Sequence, residues 1–362
     1  MTQHAQIPAQ ADPTRVAVLG VGQMGLVCAN ALASPDPAAG NVRKAVEVRL
    51  WGHDPDEVGG VAQTRRSPRL ESLVLDETVR VCLDREAALS GAEVVLAAIP
   101  AQHLREVFED ARADMPAGAG VVSVAKGIEV SSLLRPTQVV AEALADDPDA
   151  AARPIATLSG PTIAGELAKC LPATMIAASD PATDDGSFAR TIQRLFTNSW
   201  LRIYTNEDLL GLELAGATKN VIAIAAGILD GLNAGSNAKS ALLARGLAEI
   251  CRLGAAMGAT PETFFGVAGV GDLATTCFSP EGRNRSCGEA LGRGTGLKEY
   301  LDSTPFVVEG VETTRAVVAL GAKYRVELPI VQAVHAVLFD GLDPLRAITE
   351  LMTREPKAER VG

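Results

Sequence analysis

Two lysines, one aspartate and an arginine–asparagine pair are the residues whose types and settings could do chemistry. Lys219 lies in Ala217-Thr218-Lys219-Asn220-Val221, inside the most apolar helical stretch of the chain. A lysine there is costly unless it is paired or faces a wet cavity. Desolvation also lowers an ammonium pKa, which suits acid–base work near neutral pH. The bland alternative is a lysine reaching out from the helix edge. Asp272 closes Gly269-Val270-Gly271-Asp272, a glycine-rich bend from which a carboxylate could orient Lys219. Arg283 and Asn284, in Gly282-Arg283-Asn284-Arg285, form a fork suited to phosphate oxygens. A plain Asp turn and a solvated basic pair fit the same residues. Lys126, in Ala125-Lys126-Gly127, lies at the C-terminal end of a strand, where ligands of open α/β sheets bind; a solvated turn lysine would look the same. Ser159-Gly160-Pro161-Thr162 joins a strand to a helix. Gly160 permits close backbone approach, Thr162 supplies a hydroxyl and the helix start favours an anion. Taken alone, that segment reads better as an ordinary helix cap.

Such residues need elements to position them, and the first half of the chain supplies alternating strands and helices. Strands are expected at Val16–Gly20, Val46–Gly52, Glu93–Pro100, Val121–Gly127, Pro154–Leu158, Ala173–Ser179 and Leu201–Thr205. Helices are expected at Gln23–Ala33, Leu104–Ala113 and Phe188–Thr197, with Pro161 favouring a further helix start. Near-continuous apolar strands between helices mean a parallel sheet covered on both faces. After about Asn206 the strand signals stop, and Leu209–Leu232, Ser240–Gly258, Glu262–Phe265, Ser286–Leu291, Val311–Tyr324 and Ile330–Phe339 read as helical. The expected fold class is α/β: an N-terminal Rossmann-like doubly wound sheet followed by an all-helical C-terminal domain. The expected bounds are a tail over 1–13, a dinucleotide-binding domain over 14–206, a substrate and catalytic domain over 207–353 and a tail over 354–362. The segment Ser34–Asn41, rich in Pro and Ala, reads as a surface loop.

Gly20-Val21-Gly22-Gln23-Met24-Gly25 fits GxGxxG between the first strand and the first helix, the context that a dinucleotide site requires. Gly20 would permit the tight turn, Gly22 the approach of a pyrophosphate, and Gly25 close packing of helix on strand. The adenosine end is less decided. An NAD fingerprint wants an acid at the end of the second strand, and here His53 occupies the tip with Asp54 one residue on. A histidine could bond a 2′-phosphate, helped by Arg65 and Arg66, while Asp54 could equally cap the next turn. The balance leans to NADP over NAD.

Composition bounds the function classes. The chain has 362 residues, enough for two domains and a core built without disulfides or metal. Aromatic residues are only 4%, so the core must be mostly Ala, Val, Leu and Ile. A net charge of -11 argues against bulk binding to nucleic acid or an anionic membrane surface. None of the six cysteines falls in a CxxC pair, so they read as reduced thiols rather than metal ligands. The N-terminal residues lack a basic start and an apolar stretch, so no secretory signal is expected. Val221–Leu229, nine apolar residues followed by Asp230, are too few to span a ~30 Å hydrocarbon layer. The expectation is a cytoplasmic protein with no metal and no membrane insertion. A homodimer is expected only by analogy with other large helical second domains.

Together the segments GVGQMG, LWGHDP, VAKGIE, LSGPTIAGELA, GATKNVIAIAAGILDGL, ARGLAEICRLGAAMGA, GVAGVGDLATTC, RNRSCG and VVEGVETT resemble the bacterial NAD(P)-dependent glycerol-3-phosphate dehydrogenases, in order from Gly20 to Thr314. The resemblance implies interconversion of glycerol 3-phosphate and dihydroxyacetone phosphate, in support of glycerophospholipid synthesis. It implies that Lys219 is the proton acceptor and that Lys126 meets both substrate and cofactor. Gly160, Thr162, Asp272, Gly282, Arg283 and Asn284 would line the substrate site. Gln23, Met24, His53, Ala164, Arg283, Val307 and Glu309 would join Gly20, Gly22 and Gly25 in holding the cofactor. Gln23 and Met24 stand where family members often carry Ser and an aromatic. Gly282 stands where many carry Ser, and Ser34–Asn41 lengthens the first crossover.

Overall fold

In a computed structural model, described over residues 13–33, 46–144, 152–356 and 358, two structural halves follow one another along the chain. The first contains β1 (Thr14–Leu19), α1 (Gln23–Ala33), β2 (Val46–Trp51), α2 (Pro55–Thr64), β3 (Arg80–Val81), α3 (Arg85–Leu89), β4 (Val94–Ala97), α4 (Leu104–Ala111), β5 (Gly120–Ser123), α5 (Pro136–Leu144), β6 (Ile155–Ser159), α6 (Ala164–Leu167), β7 (Ala173–Ser179), α7 (Ser187–Phe196) and β8 (Leu201–Thr205). The second is helical. It comprises α8 (Leu209–Gly231), α9 (Gly235–Met257), α10 (Pro261–Phe264), a π-helical turn at Val267–Gly271, α11 (Asp272–Phe278), α12 (Arg283–Gly292), α13 (Leu297–Ser303), α14 (Glu309–Tyr324), α15 (Pro329–Phe339) and α16 (Pro344–Met352). The expected insert Ser34–Asn41 and nearly all of the expected N-terminal tail lie outside the described residues.

The sheet runs in the order β3-β2-β1-β4-β5-β6-β7-β8. Chain order reverses between β1 and β4, so the crevice at the carboxyl ends of those two strands is the natural ligand position of a doubly wound sheet. β4 and β5 are fully buried runs, VVLA and GVVS, as strands covered on both faces must be. One pairing departs from the expected parallel sheet, because β6 and β7 are antiparallel. The link between them holds only the four-residue α6, too short to cover the sheet as a crossover helix, so the chain turns back along the same edge. Pro161 does not open α6, which begins at Ala164. The expected bend before Asp272 is a π-helical turn, and Asp272 itself starts α11.

The helical half is organised around α8, whose residues are nearly all buried. Its length and apolarity would suit a membrane span, but 94% of its most apolar 18-residue window is buried within the protein itself. It meets α12 at backbone contact. A Cβ added at Gly227 would lie 1.9 Å from the Arg285 carbonyl, and one at Gly288 would lie 1.9 Å from that of Ile224. Only glycine lets the two backbones come this close. That approach carries the first turn of α12, with Arg283 and Asn284, towards Lys219.

Candidate active site

The three glycines of the loop differ in the space around them. At Gly20, with φ +119°, a Cβ would meet the Ala98 carbonyl at 2.3 Å, and at Gly25 a Cβ would meet the Gly20 carbonyl at 1.8 Å. Both are closed by the protein's own backbone. At Gly22 a Cβ would meet nothing within 4 Å, and Gly22 borders the cleft. The loop therefore leaves open space above its second glycine and in front of the N-terminus of α1, whose first turn carries no acid. That cradle suits an anionic pyrophosphate.

The cleft holds roughly 620 Å³ between the two halves. Its walls include Gly22, Gln23, Met24, Lys126, Thr162, Ala164, Lys219, Asp272, Gly282, Arg283, Asn284, Val307 and Glu309. Residues separated by more than 280 positions in the chain thus share one cavity. Gly160 does not face it, but its carbonyl accepts a hydrogen bond from Lys126 Nζ at 2.7 Å. His53 is exposed beyond the end of β2 and does not line the cleft. Asp54 spends its carboxylate as the cap of α2, accepting from the amides of Asp56 and Glu57. Arg65 and Arg66 donate to carbonyls of their own loop, at Asp76, Val79 and Glu71. A larger groove of about 1130 Å³ runs past Trp200 and Tyr204 on the β7–β8 side, but neither lysine, nor Asp272, nor Arg283 lines it.

At the centre of the cleft one carboxylate serves two ammonium groups. Asp272 Oδ1 lies 2.9 Å from Lys219 Nζ, and Oδ2 lies 2.7 Å from Lys126 Nζ. Lys219 is 5% exposed and Asp272 is 1% exposed. Burial pulls the Lys219 ammonium down from its ordinary value to about 8, with Lys126 adding to the fall and the Asp272 charge opposing it. Lys126 also reaches Thr162 Oγ1 at 3.2 Å. Its own carbonyl accepts from Asn220 Nδ2 at 3.1 Å, which pins the loop after β5 to α8.

Sequence reasoning missed three supporting residues. Thr276 Oγ1 accepts from Lys219 at 2.5 Å and donates to the Asp272 carbonyl at 2.6 Å. Its spacing of four from Asp272 on one helix was the available signal. Phe306 lies under the Arg283 guanidinium, 5.7 Å from ring centre to Cζ, and no local pattern announced it. Asn220 sits next to Lys219 in a run already singled out.

At the cleft mouth, Asn284 Oδ1 accepts from the Gly310 amide at 2.8 Å. Its carbonyl oxygen is therefore committed to α14, and its NH₂ group remains for a ligand. Desolvation raises the Glu309 carboxyl above its ordinary range, against the pull of Arg283, Lys126 and Lys219. Three cations thus converge on two carboxylates, an excess of positive charge suited to a phosphate ester.

Two family models match successive parts of the chain. Residues 15–184 match the N-terminus of NAD-dependent glycerol-3-phosphate dehydrogenase, and residues 208–349 match its C-terminus. The chain belongs to the NAD-dependent glycerol-3-phosphate dehydrogenase family. The glycerol-3-phosphate dehydrogenase (NAD(P)+) of Chlorobium limicola is 43% identical over 346 residues, covering 95% of this chain and 99% of the relative. That of Geobacter sp. strain M21 is 41% identical over 348 residues, covering 96% and 99%. The crystal structure of glycerol-3-phosphate dehydrogenase from Coxiella burnetii superimposes with a TM-score of 0.85 at 34% identity, covering 94% of this chain and 99% of that one. A ketopantoate reductase from Ralstonia eutropha, at a TM-score of 0.55 and 15% identity, shares the fold alone.

Among the described residues no group of three or more side chains is arranged to hold a metal ion. All six cysteines are free, and five of them are buried.

Proposed function

We propose that this protein interconverts sn-glycerol 3-phosphate and dihydroxyacetone phosphate, using NADP or NAD. The observation that carries the proposal is the Asp272 carboxylate shared by Lys219 and Lys126 in a cleft continuous with the glycine loop. When bound, the nicotinamide ring supplies the hydride acceptor for oxidation and the donor for reduction. The protein's residues bind, orient and move the proton.

In oxidation, neutral Lys219 accepts the proton of the substrate's carbon-2 hydroxyl. In reduction, its ammonium polarises the ketone and returns the proton. Its pKa of about 8 keeps both forms accessible near neutral pH. Asp272 holds Lys219 in place and neutralises part of the local charge. Thr276, which bonds both, restricts the Lys219 rotamer. Lys126 stands between the β5 end and α11, where it can touch substrate and cofactor together.

The substrate phosphate is assigned to Arg283, Asn284 and the N-terminus of the ten-residue α12. A helix start carrying an arginine and an amide donor is a ready anion site. Gly282, at the cap position, presents no side-chain hydroxyl, so the backbone and Arg283 carry that contact. Thr162 completes the substrate wall, and the Gly160 carbonyl behind it holds Lys126. Gly20, Gly22, Gln23, Met24, Gly25, Ala164, Val307 and Glu309 form the cofactor side, with exposed His53 outside the cleft lining, beyond its adenosine end.

The same reading takes 14–206 as the dinucleotide-binding domain and 207–353 as the catalytic domain, with tails at 1–13 and 354–362. The interval between the end of β8 at Thr205 and the start of α8 at Leu209 supports that division. It places the protein in the cytoplasm as a homodimer that feeds glycerophospholipid synthesis. Light scattering tests the oligomeric state.

The reaction is tested by following reduced nicotinamide with purified protein, dihydroxyacetone phosphate, and NADPH or NADH in parallel. Oxidation of either is the expected result. No oxidation of either, with cofactor binding intact, would reject the substrate assignment.

A further inference from the structure

The adenosine end of the cleft was left open by the sequence, and the structure changes which residues stand there. Asp54, the acid that could have accepted a ribose hydroxyl, is committed to capping α2. Arg65 and Arg66 are committed to loop carbonyls. The arginine that lines the cleft on this side is Arg69, in the loop between α2 and β3. Gln23, inside the glycine loop, donates through Nε2 to the Arg69 carbonyl at 2.7 Å, so the pyrophosphate loop itself holds the Arg69 loop in place. Arg69 Nε and Nη2 face the carboxylate of Glu57 in the first turn of α2, directly after β2. That pairing puts the guanidinium at the β2 end, where a dinucleotide's adenosine ribose lies in a doubly wound sheet. Nη1 has no protein partner among the described residues, and the Arg69 side chain is 40% exposed.

From this geometry we propose that Arg69 is the residue that binds the 2′-phosphate of NADP and so sets the preference over NAD, with Glu57 and Gln23 positioning it. The proposal rests on the reading of this cleft as a dinucleotide site. A guanidinium presents five donors, so a phosphate can be gripped through Nη1 and the outer edge of Nη2 while Glu57 retains Nε. The Arg69 side of the pair with Glu57 is partly exposed, which leaves its outer edge open to a phosphate dianion. Gln23, a departure from the usual glycine-loop residue, acquires a purpose on this account, because it fastens the 2′-phosphate loop to the pyrophosphate loop.

Calorimetric titration with 2′,5′-ADP, ADP, NADPH and NADH tests the proposal without turnover. In Arg69→Ala the affinity for 2′,5′-ADP and NADPH should fall roughly 10- to 100-fold, as loss of a charge-assisted phosphate contact does, while ADP and NADH change by less than about 2-fold. Arg69→Gln, which keeps the side-chain length, should show the same selectivity if the alanine variant proves unstable. Glu57→Gln, which loosens the hold on the guanidinium, should weaken 2′,5′-ADP relative to ADP by less than Arg69→Ala does. Equal losses for the phosphorylated and unphosphorylated ligands, or no loss at all, would overturn the assignment while leaving the dinucleotide site intact. Failure of the unaltered protein to bind any of the four would overturn the dinucleotide reading itself, and this inference with it.

Discussion

Helix α8 carries two buried charges six residues apart, Glu213 and Lys219, and they have opposite fates. Glu213 is sealed. Its carboxylate accepts from the Thr137 amide at 2.9 Å, from Thr137 Oγ1 at 2.8 Å and from Arg135, so every neighbour is a fixed part of the protein. Lys219 is equally buried, but its amine borders the cleft and shares its carboxylate with a second lysine. Burial pushes both groups towards neutrality, the Glu213 carboxyl upward and the Lys219 ammonium down to about 8. Burial alone therefore does not mark a catalytic group. The distinguishing feature is an open side on which the proton can be exchanged with a ligand.

The sharpest way to break this comparison is to remove each group in turn. Lys219→Ala should lower turnover by about 100- to 10,000-fold, the usual contribution of a positioned acid–base group, with cofactor affinity nearly unchanged. Near-normal turnover would remove Lys219 from the chemistry. Glu213→Ala should act the other way round. It strands the Arg135 guanidinium and the Thr137 donors that tie α5 to α8, and should cost about 3 kcal/mol in chemical unfolding, while surviving folded protein keeps most of its turnover. A Glu213 variant that is stable but inactive would erase the distinction.

A second contrast sets two glycines of the loop against each other. Gly25→Ala has no room, since its Cβ would lie 1.8 Å from the Gly20 carbonyl, and should yield little folded protein. Gly22→Ala meets nothing within 4 Å and should fold normally, with weaker dinucleotide binding seen by titration. Unchanged affinity in Gly22→Ala would move the pyrophosphate elsewhere.

The smallest expected effect concerns a buried carboxylate with no cleft beside it. Glu249 on α9 caps α15 by accepting from the amides of Ile330, at 2.8 Å, and Val331. Desolvation raises its pKa to about 7, against those amides and the charges of Arg252 and Arg354. A carboxyl whose folded pKa is raised contributes stability below its unfolded pKa of about 4.3 and loses it as pH rises through the folded value. Thermal unfolding should therefore show a stability decrement from this group between about pH 4.5 and 7, absent in Glu249→Gln. An identical pH profile in the variant would remove Glu249 as its source.

Much of this site was legible because its residues break local rules. A lysine in the most apolar helix, glycines packed into one turn, and an arginine–asparagine pair beside glycine each conflict with ordinary helix or loop chemistry, and such conflicts concentrate at functional sites. The strands were legible for the opposite reason, since buried runs such as Val94–Ala97 satisfy every local preference at once. What escaped was set by distance. The antiparallel β7 follows from a link too short to cross the sheet, although its own residues read like any other strand. Short helices such as α2 and α3 rest on caps by Asp54 and Asp84 and carry little apolar periodicity. Arg69 was invisible because its role depends on Gln23, 46 residues earlier, reaching its carbonyl.

The most direct test of the central claim is the pH dependence of kcat/KM for glycerol 3-phosphate oxidation. Only neutral Lys219 can accept the proton. The account therefore predicts a rate that rises about tenfold per pH unit, then levels near the Lys219 value of about 8. A profile that is flat through that region, or one that falls, would contradict the assignment of Lys219 as the proton acceptor.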